Sequence, residues 1–178
     1  MRVRCTIRKT HASYIVEAVI VPYVLLFLIA LPVVNFVTCT MRCTFLWTCA
    51  RDASFHAAKA KSFVSDVSAT SLSAKNIARQ IVTIDASGFN GVSIDSVDTC
   101  AVITDLDTKA VTRQTNVLTT APDTDKCIYQ TEVVVTGKVR PLLLFSQKVF
   151  GSIPGISDWI QISVRSKDVC ESPQGLML

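Results

Sequence analysis

Histidine is nearly absent from this chain. Among 178 residues there are two, His11 and His56, which removes the commonest general base from almost every position. A Ser–His–Asp or Cys–His site in the main body would have to use His56, and no nucleophile-elbow turn accompanies it. Enzyme chemistry is therefore not expected. Basic runs are missing too. Four Lys/Arg (Arg2, Arg4, Arg8 and Lys9) crowd the first nine residues, while the part from Cys39 onward has fourteen Lys/Arg against thirteen Asp/Glu. That near-neutral remainder lacks the clustered cations that neutralise phosphates, which excludes nucleic acid as the expected partner. Glycine and proline are absent from Val33 to Ser87, so nothing in that stretch interrupts a helix. Internal repeats and low-complexity segments are absent as well.

What is present is a long apolar run over residues 12–38 with a single charge, Glu17. Tyr14 to Val37 is 24 residues, about 36 Å of helix, against a hydrocarbon core of about 30 Å. It carries sixteen Ile, Val, Leu and Phe residues. At roughly −0.4 kcal/mol each they contribute about −6 kcal/mol to insertion, and one carboxylate costs about +3 kcal/mol at most. A cleavable secretory signal is the rival reading. Its apolar core is shorter, about 7–15 residues, and ends in small residues; Val37-Thr38-Cys39 is a poor match. Four basic residues before the run against Arg42 and Arg51 after it place the N-terminus in the cytoplasm and the main body outside.

There are seven cysteines. With that topology Cys5 is cytoplasmic, and Cys39, Cys43, Cys49, Cys100, Cys127 and Cys170 face an oxidising compartment, where up to three bridges form among fifteen connectivities. Cys100–Cys127 is the favoured pair, both at expected strand starts, with Cys49 and Cys170 as further candidates. Cys39, Cys43, Cys49 and His56 form a C-x3-C-x5-C-x6-H series that matches no standard zinc module, so neither metal nor cofactor is expected. The pairs Asp105/Asp107 and Asp123/Asp125 belong to no twelve-residue calcium loop and read as turn residues.

The helix is expected to run on past the apolar stretch. Leu46, Cys49, Ala53, Ala57, Ala60, Val64 and Val67 recur at helical spacing. Ser71 or Ser73 can cap a second helix to about Ile84, with Ala74, Ile77, Ala78 and Ile81 inward. Turn residues gather at 85–91, and strands follow: Cys100–Leu106, a turn at Asp107-Thr108 into Lys109–Thr115, Cys127–Val139 ended by Arg140-Pro141, and an alternating strand around Trp159–Val164. The tail from Glu171 reads as frayed. The organisation is thus a cytoplasmic basic arm (1–11), a transmembrane helix (12–38), an extracytoplasmic helical region (39–84) and a β-rich extracytoplasmic domain (85–178). The fold class is α+β, a long N-terminal helix packed with a small antiparallel sheet.

Glu17 is the sharpest functional candidate, because a carboxylate in the first turns of an apolar helix is costly without a partner. If the chain is cut after Ala12, Ser13 becomes the N-terminus and its α-amino group can pair with Glu17 of a neighbouring helix, selecting register. The bland alternative is that Glu17 reaches the head-group region. Pro22 and Pro32 each remove a helix hydrogen bond, either to open a local melt for packing or because membrane helices tolerate them.

A basic arm, a small residue, four residues and then Glu inside an apolar helix resembles the class III signal sequences of type IV pilins. The run Ile15-Val-Glu-Ala-Val-Ile-Val-Pro22 with its Leu-rich continuation, the Ala-rich 50–58 segment and the Arg140-Pro-Leu-Leu-Leu144 ending resemble the TadE/TadG-like minor pseudopilins of Tad (Flp) pilus assembly. Ala12 stands where that family usually has Gly before the cut, and Ala18 follows the Glu where an aromatic is frequent. The resemblance implies a pilin-like fold, processing at Ala12/Ser13, assembly through Glu17 and Pro22, and no catalytic role. It implies as partners other pilin or pseudopilin subunits, membrane assembly proteins and lipid, with oligomerisation at the plasma (inner) membrane or in a pilus. The alternatives are a single-pass surface binding module and a secreted soluble domain after signal removal.

Overall fold

The computed structural model describes the backbone of residues 6–63 and 72–178, with side chains over 17–63, 72–148 and 151–178. The architecture is α+β: one very long helix, a short second helix and a four-stranded antiparallel sheet.

Helix α1 runs Thr6–Ala58 without a break through Pro22 and Pro32, about 80 Å at 1.5 Å per residue. The threonines after the apolar stretch do not disturb it, because the hydroxyls of Thr38, Thr40, Thr44 and Thr48 each donate to the carbonyl four residues earlier. The expected inward stripe is present over Leu46, Cys49, Ala53 and Ala57, all buried, but the helix ends at Ala58, so Ala60 is buried just beyond it and not on its face. The small side chains of the stripe let the sheet approach the helix closely. Val64, Val67 and the alternative cap Ser71 lie outside the described residues.

Helix α2 covers Ala74–Ser87 and is capped by Ser73, whose side chain accepts from the Asn76 N–H. Ala74, Ala78 and Val82 are buried, with Ile77 and Ile81 packed at the edge of the core. Strands β1 (Val92–Asp105), β2 (Val111–Gln114), β3 (Cys127–Val139) and β4 (Ile160–Val169) pair in the order β2-β1-β3-β4. A four-residue helix, α3 (Gln147–Phe150), sits in the β3–β4 connection.

One sheet face packs on α1 and α2. Tyr129, Thr131, Val133, Val135 and Val139 alternate inward on β3, and Ile160, Ile162 and Val164 join them from β4. Strand β1 is bent by an irregularity between Ile94 and Ser96, opposite Gly137. A Cβ at Gly137 would stand 2.6 Å from the Ser93 carbonyl oxygen, so only glycine lets the two strands close there.

Two sequence expectations change. Cys100 is mid-strand, since β1 begins at Val92. The chain end is docked rather than frayed: a 3-10 turn over Pro173–Met177 buries Gly175 and Leu176. It is stitched down by Phe63 N–H to Leu178 O at 2.7 Å, Leu118 N–H to Leu176 O at 2.8 Å and Glu171 N–H to Ala58 O at 3.1 Å. A local sequence reading sees only a short tail; its hydrogen-bond partners are 58 to 115 residues away.

Candidate functional site

The lower half of α1 is uncovered. From Val19 to Ile29 every large apolar side chain is more than half exposed, and only 6 % of the helix's apolar window is buried. A core helix of a water-soluble domain is mostly buried, so this stretch is long and apolar enough to span a membrane and is not a core helix. Glu17 and Pro22 both lie on its exposed surface, and no ion-pair partner of Glu17 occurs among the described residues. The backbone at Ala12 and Ser13 is part of α1; their side chains lie outside the described set.

The folded domain grips α1 at Asn35, within the 12–38 stretch. Asn35 is 4 % exposed. Its side-chain amide donates to the Leu143 carbonyl and its amide oxygen accepts from the Leu143 N–H, both at 2.9 Å. Two turns further on, Arg42 donates to the Arg140 carbonyl. Between the helix and the β3–β4 connection lies an apolar groove of about 600 Å³, lined by Phe27, Leu31, Pro32, Phe36, Phe145 and Ile156 among others. Higher up, the outward face of α1 shows Met41, Trp47 and Phe55, with Arg51 over the Trp47 ring and Lys59 over the Phe55 ring.

The opposite sheet face carries a site that sequence reasoning missed. Glu132, on central strand β3, is 2 % exposed although it points away from the helices. Lys167 of β4 lies directly across from it, Nζ 3.8 Å from Oε1. Arg113 of β2 reaches over β1 to place Nε 2.9 Å from Oε2, and the Cys100 thiol donates to the same oxygen at 3.4 Å. Oε1 accepts no hydrogen bond. An acid opening an otherwise apolar run was the only local signal; its cationic partners follow from strand register.

The disulfide expectation fails. All six cysteines among the described residues are free. Cys100 is opposite Glu132 and Cys127 is opposite Asp105, so the favoured pair is offset by five residues, about 17 Å along the strands. Cys49 lies nine residues below Ala58, the α1 residue whose carbonyl meets Glu171 beside Cys170, about 13 Å along the helix. Burial, reinforced by Asp85 and Asp52, pushes the Cys49 thiol up to about 11. Burial and then the hydrogen bond to Glu132 push Cys100 up to about 11, and burial raises Cys170.

No metal-holding cluster occurs among the described residues. Cys39 and His56 are seventeen residues apart on one straight helix, about 25 Å, and His56 is exposed, edge-on to Phe55. The aspartates shape turns: Asp105 Oδ1 accepts from the N–H groups of Asp107 and Thr108, and Asp123 Oδ1 accepts from that of Asp125. No family model, curated protein or solved structure matches the chain.

Proposed function

We propose that this chain is a membrane-anchored, non-enzymatic assembly component: a TadE/TadG-like minor pseudopilin, or close functional counterpart, of a Tad-type pilus or secretion apparatus. The observation that carries the reading is the division of one continuous helix. Its first half offers bare apolar surface, and its second half is fused to a sheet through Leu46, Cys49, Ala53 and Ala57. A rigid stalk of this kind stores a subunit in lipid and presents the same surface to other stalks.

The lower helix crosses the plasma (inner) membrane once, N-terminus inside, and the sheet domain stands outside. Neighbouring subunits and membrane assembly proteins pack along the exposed stripe that continues upward through Met41, Trp47 and Phe55. Glu17 selects axial register in that packing by meeting a cationic partner on another subunit. Buried thiols held well above the ordinary range persist unpaired in an oxidising compartment, because the thiolate is the reactive form.

Intact-mass analysis of the protein from its native cells tests the processing step. A mature chain beginning at Ser13 supports pseudopilin maturation, and a chain beginning at Met1 removes it. Co-purification with the pilus ATPase and platform proteins separates an assembly role from that of a solitary surface binding module.

A further inference from the structure

The connection between β3 and β4 is apolar where a loop is expected to be polar. Leu142, Leu143, Leu144, Ile153, Ile156 and Trp159 are all exposed, and Ile156, with Phe145 and Pro154 of the same connection, lines the groove beside α1. Depth follows from the helix. Glu17 to Asn35 is eighteen residues, about 27 Å, close to a hydrocarbon thickness of about 30 Å. With Glu17 at one interface, Asn35 and the Leu143 bonded to it stand at the margin of the other.

Three observations point to lipid rather than water or protein on this loop. Part of its backbone is satisfied by the protein itself: Leu143 by Asn35 of α1, Phe145 N–H by the Ile156 carbonyl and Ile153 N–H by the Ser157 hydroxyl, while Pro141 and Pro154 have no N–H to satisfy. Such pairing is what a water-poor site demands. The groove also has the dimensions of a lipid tail. It runs along α1 from Phe27 to Cys39, about 18 Å, against about 15 Å for one leaflet's hydrocarbon. Finally, Arg42 follows Asn35 and Cys39 on the same helix face, and exposed Arg140 is joined to it through its carbonyl. A cation therefore stands about one turn beyond the Cys39 end of the groove, within reach of a phosphate, and the exposed Trp159 fits the aromatic belt of an interface.

We propose that the 141–159 loop is a second membrane contact, seated in the outer leaflet, with a phospholipid acyl chain in the groove between it and α1 and the head-group phosphate at Arg42 and Arg140. This rests on the membrane-anchor reading above. The chain then holds the bilayer by a helix and a collar, which fixes the tilt and rotation of the sheet domain relative to the membrane.

The test uses the full chain in phosphatidylcholine vesicles, with phosphatidylcholine brominated along its acyl chains as quencher. Trp47→Phe leaves Trp159 as the sole tryptophan; Trp159→Phe leaves Trp47, twelve residues beyond Asn35 and about 18 Å above it. The expected result is loss of Trp159 emission with Trp47 unaffected, and recovery of Trp159 emission when exposed Leu142 and Leu144 are both changed to Glu. Unquenched Trp159 in a chain that resists alkaline extraction overturns the collar and leaves the anchor standing. Trp159 quenching that disappears as protein is raised relative to lipid also overturns it, because another copy then fills the groove. Release of the chain by alkali removes the anchor reading and the collar with it.

Discussion

Arg113 lies across a whole strand to reach Glu132. The two residues belong to β2 and β3, with β1 between them, yet Nε and Oε2 are 2.9 Å apart. The guanidinium thereby roofs the outer face of the sheet, where Val102 is fully buried and Cys100 half-buried. Lys167 completes a row of charge on the other side at 3.8 Å. Glu132→Gln is expected to destabilise the domain by about 1–2 kcal/mol, a modest figure because both cations remain partly solvated. In double-mutant cycles with Ala at the cations, the coupling of Arg113 to Glu132 should exceed that of Lys167, since only the former is a hydrogen bond. Equal couplings would show that the row is screened charge alone.

Asn35→Leu keeps the volume of the side chain and deletes both bonds to Leu143. The Leu143 N–H and carbonyl then lose their partners beside a buried surface, at about 1–3 kcal/mol for each group left unpaired. Thermal unfolding of the full chain in detergent should show a transition lower by several degrees. Asn35→Asp keeps the acceptor but loses the donor, and should fall between the two.

The thiols make the stability pH-dependent on the alkaline side. Cys49 and Cys100 each titrate near 11 when folded, from an ordinary value of 9.0. The folded state therefore favours the protonated thiol. That contribution is complete below pH 9 and is lost as pH rises from about 9 to about 11. The Cys49→Ala/Cys100→Ala variant should show a shallower fall in unfolding temperature over that window. Alkylation of the denatured chain with and without reductant should give the same mass, because all six cysteines among the described residues are free.

Gly175→Ala tests the docked tail. A Cβ there would stand 2.4 Å from the Lys61 carbonyl oxygen, a backbone atom that cannot step aside. The turn must lift, which exposes Leu176 and frees the amides of Phe63 and Leu118. A loss of about 1–3 kcal/mol is expected, with hydrogen exchange accelerated at those two amides and unchanged on β3.

Much of this architecture is local and therefore legible. The apolar run, the Ala stripe from Leu46 to Ala57, the Ser73 cap, the Asp107-Thr108 turn and the alternation of Ile160, Ile162 and Val164 each follow from neighbours within a few residues. The features that were not legible depend on partners far along the chain. Glu132 meets Arg113 and Lys167 only through two strand pairings, Asn35 meets Leu143 across 108 residues, and Gly175 meets Lys61. The Cys100–Cys127 pairing failed for the same reason, because sequence spacing carries no information on which rung of the β1–β3 ladder each thiol occupies. Glu17 and Pro22 were legible as positions on an apolar helix, and both are exposed on it.

The central claim is that the bare half of α1 resides in a bilayer. Alkaline carbonate extraction of membranes from cells producing the full chain measures this directly. The account predicts that the protein stays in the membrane pellet, and that it moves to the supernatant when Leu25, Leu26, Leu28 and Ile29 are all replaced by Asp. Recovery of the unaltered chain in the supernatant would contradict it.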